Sequence, residues 1–416
     1  MVCSAMVFVP FNRVWLGGAE ARYLAETLAS NHLCGDGPFT RRASAWLERE
    51  LGAPRVLLTT NCTHALEMCA LLCDLGPGDE VIVPSFAFVT TASAFSMRGA
   101  RIVFADVRAD TFNLDERQLE ALCTPRTKAI VALHYGGVAC EMDAILALAE
   151  RRGIAVVEDN AHGLFGTYRG KKLGTLGRLA TQSFHETKNL TCGEGGALVV
   201  NDPALVQRAE IVREKGTNRA RFLRGQVDKY TWVEQGSSWL PSELNAALLL
   251  GQLEVAETIQ AARQRVWHTY AQELGSWAAS VDVRLPVVPE HCGHPAHVFA
   301  LLLPDLAERT AFIQHLRARE IQAVFHYQPL HLSEVGRAGG GTPGQCPMTE
   351  DIADRLVRLP LHAGLSEEEL ARVLEAVTSY RSGPVLTPSP GPEPGPARSV
   401  AARDASAGVP PARSAG

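Results

Sequence analysis

The sequence predicts an α/β protein, with a large domain on a mostly parallel mixed sheet and a smaller C-terminal α/β domain behind it. Three observations carry this. From about residue 20 to residue 250, short runs rich in β-branched residues alternate with stretches of helical periodicity, the pattern of strand–helix crossovers. A helical pattern then starts at Pro241-Ser242 and runs from Leu244 towards Leu274, longer than most globular helices and suited to bridging two bodies. Beyond it strand-like and helical runs recur until the composition shifts to Pro, Gly, Ser, Ala and Arg after Ser382. The expected partition is a large domain over 1–250, a small one over 251–382 and a disordered tail over 383–416, which has too few bulky apolar residues to order itself.

In order, the strands are expected at Arg55–Thr60, Glu80–Pro84, Arg101–Val107, Lys128–His134, Ile154–Asp159, Thr181–His185 and Ala197–Asn201. Helical spacing of apolar residues places crossover helices at Thr63–Leu75, Leu114–Leu122 and Met142–Arg152. In the second domain His297–Leu303 and Gln322–His326 read as strands, and Ala307–Arg319 and Glu367–Tyr380 as helices.

With 416 residues, 46% of them hydrophobic, the chain can bury more than one core. A net charge of -5 argues against a nucleic-acid partner or an anionic membrane, each of which needs a basic face. No apolar run reaches the ~18 residues of a membrane span. Met1–Pro10 has neither a basic start nor a small-residue cleavage pattern. The 10 cysteines form no C-x-x-C pair, Cys69 and Cys73 coming nearest, which reads as reduced thiols of a cytoplasmic protein. Small-molecule chemistry without a metal is the expectation.

The chemistry concentrates at the carboxyl ends of the expected strands, where open α/β sheets bind ligands. Ser183-Phe184-His185-Glu186-Thr187-Lys188-Asn189 follows one strand and precedes Gly193-Glu194-Gly195-Gly196. A loop lysine is ordinarily a solvated one. Upstream, however, Val156-Val157-Glu158-Asp159-Asn160-Ala161-His162 ends a strand with an acid. Asp159 could equally cap a helix, but a carboxylate against a pyridine nitrogen keeps that ring protonated as an electron sink. Lys188 and Asp159 together supply the two partners that pyridoxal phosphate requires. Its phosphate would fit the turn Thr60-Asn61-Cys62-Thr63, where a strand meets a helix N-terminus; a plain helix cap is the competing reading. Ser183 offers a second hydroxyl, and Phe88 an aromatic face that would otherwise be core.

These residues resemble the DegT/DnrJ/StrS-type sugar aminotransferases, of fold-type I among pyridoxal-phosphate enzymes and aspartate aminotransferase-like in fold. The resemblance spans about residues 9 to 380. It rests on Cys34-Gly35-Asp36-Gly37, Asn61-Cys62-Thr63, Pro84-Ser85-Phe86, His134-Tyr135-Gly136-Gly137, Glu158-Asp159, Ser183–Asn189, Phe325-His326-Tyr327 and Leu359-Pro360-Leu361. Val138–Asp143 and Lys215-Gly216-Thr217-Asn218-Arg219 bring it nearest to the branch that aminates a dTDP-linked 4-keto-6-deoxyhexose for deoxysugar and surface-polysaccharide biosynthesis.

The resemblance implies that Lys188 holds the cofactor covalently and moves the proton. It implies that Asp159 pairs the ring nitrogen, Phe88 stacks on the ring, Thr63 and Ser183 bind phosphate, and His162 lies near the ring hydroxyl. Glutamate is implied as amino donor, and a homodimer with a shared active site as the assembly. His326, Tyr327, Lys215 and Arg219 are candidates for the substrate wall. Two departures stand out: Cys62 replaces the family's usual glycine in the phosphate turn. Ser238, in Gly236-Ser237-Ser238-Trp239, stands where many members carry an asparagine that reaches across the dimer. Amination of a 3-keto sugar and a non-catalytic cofactor-binding protein are the alternatives. A dehydrating branch carries histidine in place of lysine, so Lys188 argues against it.

Overall fold

The computed structural model describes residues 7–381, and the expectation for the tail at 383–416 falls outside them. In chain order the strands are β1 (Arg55–Thr59), β2 (Glu80–Pro84), β3 (Arg101–Ala105), β4 (Thr127–Leu133), β5 (Ala155–Asp159), β6 (Thr167–Tyr168), β7 (Lys171–Lys172), β8 (Leu179–Ser183), β9 (Gly196–Val200), β10 (Cys292–Gly293), β11 (Ala300–Leu302) and β12 (Leu356–Arg358). Seven of them form the main sheet, in the order β1-β9-β8-β5-β4-β2-β3. Its pairings are parallel from β8 through to β3, and β9 alone runs antiparallel to its neighbours β1 and β8. The mostly parallel mixed sheet expected from the alternating pattern is therefore present.

Both faces of the sheet are covered, which explains why its strands carry near-continuous apolar runs such as Val81–Val83, Ala129–Leu133 and Ala197–Val200. Val83, Val131, Val157 and Leu198 face the helices Cys62–Leu72 and Thr90–Ser96. On the other side Ile82, Ile130 and Val156 meet the helix Met142–Arg152, while Val56, Leu58 and Val199 meet Pro38–Leu51 and Glu243–Glu254. Glu243 ties the last two helices together. Its buried carboxylate accepts the N–H groups of Gly37 (3.1 Å), Phe39 (2.8 Å) and Thr40 (3.0 Å), donors left open at the start of Pro38–Leu51.

A further core gathers Val266, Tyr270, Phe299, Phe312, Val357 and Val373 with Val9 from the other end of the chain. Here β11 pairs antiparallel with β12. A strap from Val9 to Arg13 is sewn onto this region. Val9 bridges Ile321, Leu361 N–H donates to the Phe11 carbonyl at 3.4 Å, and Arg13 pairs with Glu369 at 2.7 Å.

Three expected elements differ. The long helix starts where expected, with Ser242 accepting the Asn245 N–H, but it breaks at Val255 into Glu243–Glu254 and Ala256–Glu273. Val255 has φ -114°, ψ 19°, off the helical region, and its β-branched side chain packs against the core rather than along the helix. In place of the strand Gln322–His326, the described residues show single bridges, Ile321 to Val9 just before it and Val324 to Arg358 within it. Leu114–Leu122 is a short 3₁₀ turn, Glu116–Gln118, followed by a four-residue helix.

Candidate active site

Strand alternation sends neighbouring residues to opposite faces, and on β5 this separates two acids. Glu158 points away from the cavity described below, fully buried, accepting His134 Nε2 (2.9 Å) and the N–H groups of Gly174 (2.8 Å), Leu176 (2.7 Å) and Gly177 (2.7 Å). Asp159 emerges at the carboxyl edge of the sheet. Thr91 Oγ1 donates to one of its oxygens at 2.7 Å and the Ala161 N–H to the other at 3.2 Å.

Around Asp159 opens a cavity of about 700 Å³, the scale of a small-molecule site. Its lining includes Cys62, Thr63, Phe88, Asp159, His162, Ser183, Lys188, His326 and Tyr327. Nine residues from scattered places in the sequence reading thus meet in one space. Lys188 stands in a short loop tied back to β8, since the Cys192 N–H and Thr191 Oγ1 both donate to the Phe184 carbonyl. Burial pushes its amine down to about 8, against the opposing pull of Cys62 and Asp159. The Cys62 thiol is pushed up to about 12 by burial and then by Asp159, so it stays protonated beside the lysine.

The turn after β1 starts the helix Cys62–Leu72. Asn61 caps it by accepting the His64 N–H at 2.8 Å, which leaves the N–H groups of Cys62 and Thr63 with no acceptor among the described residues. The first residue of β9 must be glycine for this turn to close. A Cβ on Gly196 would lie 2.3 Å from the Asn61 carbonyl carbon and 2.4 Å from the Cys62 nitrogen. Two open N–H groups at a helix N-terminus, with the Thr63 and Ser183 hydroxyls on the same cavity, form an anion seat.

Opposite lies a wall of rings. His162 stacks on His297 with centroids 4.3 Å apart. Its Nδ1 accepts the Gly136 N–H at 3.2 Å, which places the proton on Nε2, 3.3 Å from the Tyr327 hydroxyl. Burial holds His162, His297 and His326 well below the ordinary histidine range, so all three are neutral at pH 7. Tyr135 and His326 share a hydrogen bond of 3.1 Å. Phe88, 55% exposed, presents its ring to the open side.

Three expected residues do not reach this cavity. Lys215 and Arg219 are held by Glu214, at 2.8 Å and 3.6 Å, and Lys215 lines a separate open groove with Met97 and Trp232. The substrate wall of a single chain is corrected accordingly: it does not include them. Ser238 bridges Glu214 on that same outer segment. Conversely, Phe11, Asn12, His297 and Arg358 line the cavity unannounced. Arg358 alone gives a signal in the sequence, as a charge inside the apolar run Leu356–Leu361.

The donor set fits a phosphorylated pyridine aldehyde: an anion seat, a carboxylate buried for a protonated ring nitrogen, and an amine whose lowered pKa leaves more of it free to condense than an ordinary lysine has. Comparison with known proteins agrees. The chain is 34% identical over 373 residues to GDP-perosamine synthase of Caulobacter vibrioides, covering 87% of this chain and 95% of that one. Among solved structures it resembles the aminotransferase TlmJ of Streptoalloteichus hindustanus, with a TM-score of 0.79, 32% identity and coverage of 89% and 97%. The sugar aminotransferase Spr1654 of Streptococcus pneumoniae in its PLP form gives 0.82 at 26% identity, with coverage of 89% and 98%. Residues 16–378 match the DegT/DnrJ/EryC1/StrS aminotransferase family as a whole. With a family match across nearly the whole folded chain, this protein belongs to the DegT/DnrJ/EryC1/StrS family and is a pyridoxal-phosphate-dependent sugar aminotransferase.

Proposed function

We propose that the enzyme transfers the amino group of glutamate to C4 of dTDP-4-keto-6-deoxyglucose, giving dTDP-4-amino-4,6-dideoxygalactose and 2-oxoglutarate. Glutamate gives up its α-amino group and α-hydrogen and gains the ketone oxygen, while the sugar carbon gains the amine and a hydrogen. The observation that carries the reading is the placement of Lys188 and Asp159 in one cavity with the open N–H groups of Cys62 and Thr63.

Bound pyridoxal phosphate supplies a carbonyl that carries nitrogen between the two substrates and a ring that delocalises the carbanion. The chain's own residues do the rest. Thr63, Ser183 and the helix N-terminus hold the phosphate, and Asp159, fixed by Thr91 and the Ala161 N–H, keeps the ring nitrogen protonated. Phe88 would supply an aromatic surface to the bound ring, and neutral His162 directs its Nε2 proton towards Tyr327 on the wall. Lys188 holds the cofactor between turnovers and, once released, moves the proton at the reacting carbon of either substrate. Because that amine approaches from one side, the way the sugar lies against His326 and Tyr327 sets the configuration of the product.

The assembly is proposed as a homodimer. Trp232 is 75% and Met97 72% exposed beside the groove of Lys215, an apolar face suited to a second copy. From that face Ser238 would reach the partner's phosphate. A panel of nucleotide-linked 3-keto and 4-keto sugars with glutamate, read by mass spectrometry and NMR, tests the reading. A 4-amino-4,6-dideoxygalactose is expected; a 3-amino product would overturn the regiochemistry, and a gluco product the stereochemistry alone.

A further inference from the structure

The wall of rings holds one hydrogen-bond acceptor that none of the roles above uses. His297 Nδ1 lies 2.8 Å from Asn189 Oδ1. The Asn189 amide nitrogen is already committed as a donor, to the Pro295 carbonyl at 2.7 Å and to Gln260 Oε1 at 3.3 Å. Its oxygen must therefore accept, and the His297 proton sits on Nδ1. That leaves Nε2 as a lone pair, with no donor to it among the described residues. The stacked partner His162 holds the opposite tautomer, its Nδ1 accepting the Gly136 N–H and its Nε2 facing the Tyr327 hydroxyl. One ring of the stack is a donor and the other an acceptor, and burial keeps both neutral. His297 also borders two spaces that Lys188 borders, the main cavity and a smaller pocket of about 10 Å³ shared with Asn189 and Ser183. Asn189 follows Lys188 directly, so the loop that carries the amine also sets the tautomer of the ring. None of the groups that tune the amine does so through a hydrogen bond. A primary amine on a four-carbon stem, with no such bond to orient it, aims its lone pair at the reacting carbon only a fraction of the time.

We propose that His297 is a positioning residue for Lys188: its Nε2 accepts one N–H of the released amine and turns the amine's own lone pair towards the reacting carbon. The inference rests on the role given to Lys188 above. The proton passes from carbon to the lysine nitrogen and back to carbon, and His297 neither takes nor supplies it. A buried, neutral ring suits this task, because a protonated imidazole has no lone pair to offer and repels an ammonium. Lys188 moves the proton in both halves of the reaction, so loss of its guide slows both. A residue that held a sugar hydroxyl would matter in the second half alone.

The test compares wild type with His297→Asn and His297→Gln. Asparagine keeps a polar group at the place of Nδ1 and loses the acceptor at Nε2, whereas the glutamine amide reaches the place of Nε2. With holoenzyme, rapid mixing follows the half-reaction with glutamate and then, from the aminated form, the half-reaction with the keto-sugar that the panel above identifies. His297→Asn is expected to slow both by about tenfold or more, with a larger isotope effect from glutamate deuterated at Cα and an unchanged half-saturating glutamate concentration. His297→Gln should recover much of both rates. In the cofactor-free chain, the pH dependence of Lys188 acetylation, followed by peptide mass spectrometry, reports on the contact without turnover. Its midpoint is expected to fall in His297→Asn, because an acceptor favours the ammonium, and to hold in His297→Gln. Should His297→Asn fail to fold, Asn189→Leu releases the tautomer of an intact His297 and is expected to slow both halves likewise. Loss in the sugar half alone would make His297 a sugar contact, and equal loss in the two His297 variants would make it packing. Unchanged rates with an unchanged midpoint would leave it no role, and each of these results overturns the proposal. Failure of the functional reading looks different. Borohydride reduction of wild-type holoenzyme locates the cofactor by peptide mass, and a cofactor on another lysine removes the role of Lys188 whatever the His297 variants do. If glutamate is not the donor, alanine and glutamine enter the same comparison.

Discussion

Glu158 and Asp159 are adjacent carboxyl side chains, both buried, and their roles separate only through the strand that carries them. Replacing Asp159 with Asn keeps the size and the Thr91 contact but cannot hold a ring nitrogen protonated. Turnover is expected to fall by about a hundredfold or more with the melting temperature little changed, and a normal rate would reduce Asp159 to a structural cap. Lys188→Ala should abolish turnover while leaving the fold. Lys188 also has a signature in stability. Its amine is held near 8 in the folded chain against an ordinary 10.5, so below pH 8 the folded state carries a penalised charge. Between about 8 and 10.5 the unfolded chain binds more protons, and stability rises with pH. In the cofactor-free protein, Lys188→Met should therefore be the more stable below pH 8, with the gap closing towards pH 10.5. A gap independent of pH, followed by thermal melting, would show that burial does not shift this amine. At this scale the sequence is legible where a residue's type is unusual for its place, as with an acid at a strand end. It is silent on His297, which stands in an ordinary strand-like run and gains its meaning only by stacking on His162.

The elements recoverable from sequence are those with their own periodicity. Met142–Arg152 and Glu80–Pro84 match their expected bounds residue for residue. What periodicity cannot show is a break inside a continuous apolar pattern, as at Val255, or pairing by single bridges, as along 321–324. The phosphate turn is likewise half legible: its polar residues announce a helix start, but the demand on Gly196 comes from a strand more than a hundred residues away. Gly196→Ala should press the new Cβ into the Asn61–Cys62 backbone, costing about 1–3 kcal/mol of overpacking. Affinity for pyridoxal phosphate should drop with it, measured by titration of the cofactor-free chain; unchanged affinity would mean the turn yields without cost. Glu243→Ala removes the acceptor of three N–H groups at once and should cost about 3 kcal/mol, read by chemical denaturation. A change within error would mean water replaces the carboxylate there.

For the whole molecule, the expected association through Trp232 and Met97 can be separated from catalysis within one chain. Trp232→Glu should shift sedimentation towards the monomer and lower activity together, because Ser238 belongs to the same surface. A monomer with full activity would refute a shared site. The α/β class and the sheet's mostly parallel character are legible from alternation alone, whereas the threading of the strap Val9–Arg13 through the C-terminal core is not, since its partners lie hundreds of residues away. That strap sets an order of events in folding. Phe11 braces Arg358 and Asn12 lines the cavity, yet Val9 has no bridge until Ile321 exists, and Arg13 no ion pair until Glu369 does. A growing chain can assemble the sheet strands from β1 to β9 first, because their contacts are nearer in sequence. Closure of the substrate chamber waits for the last third of the polypeptide, so binding competence arrives as the final act of folding.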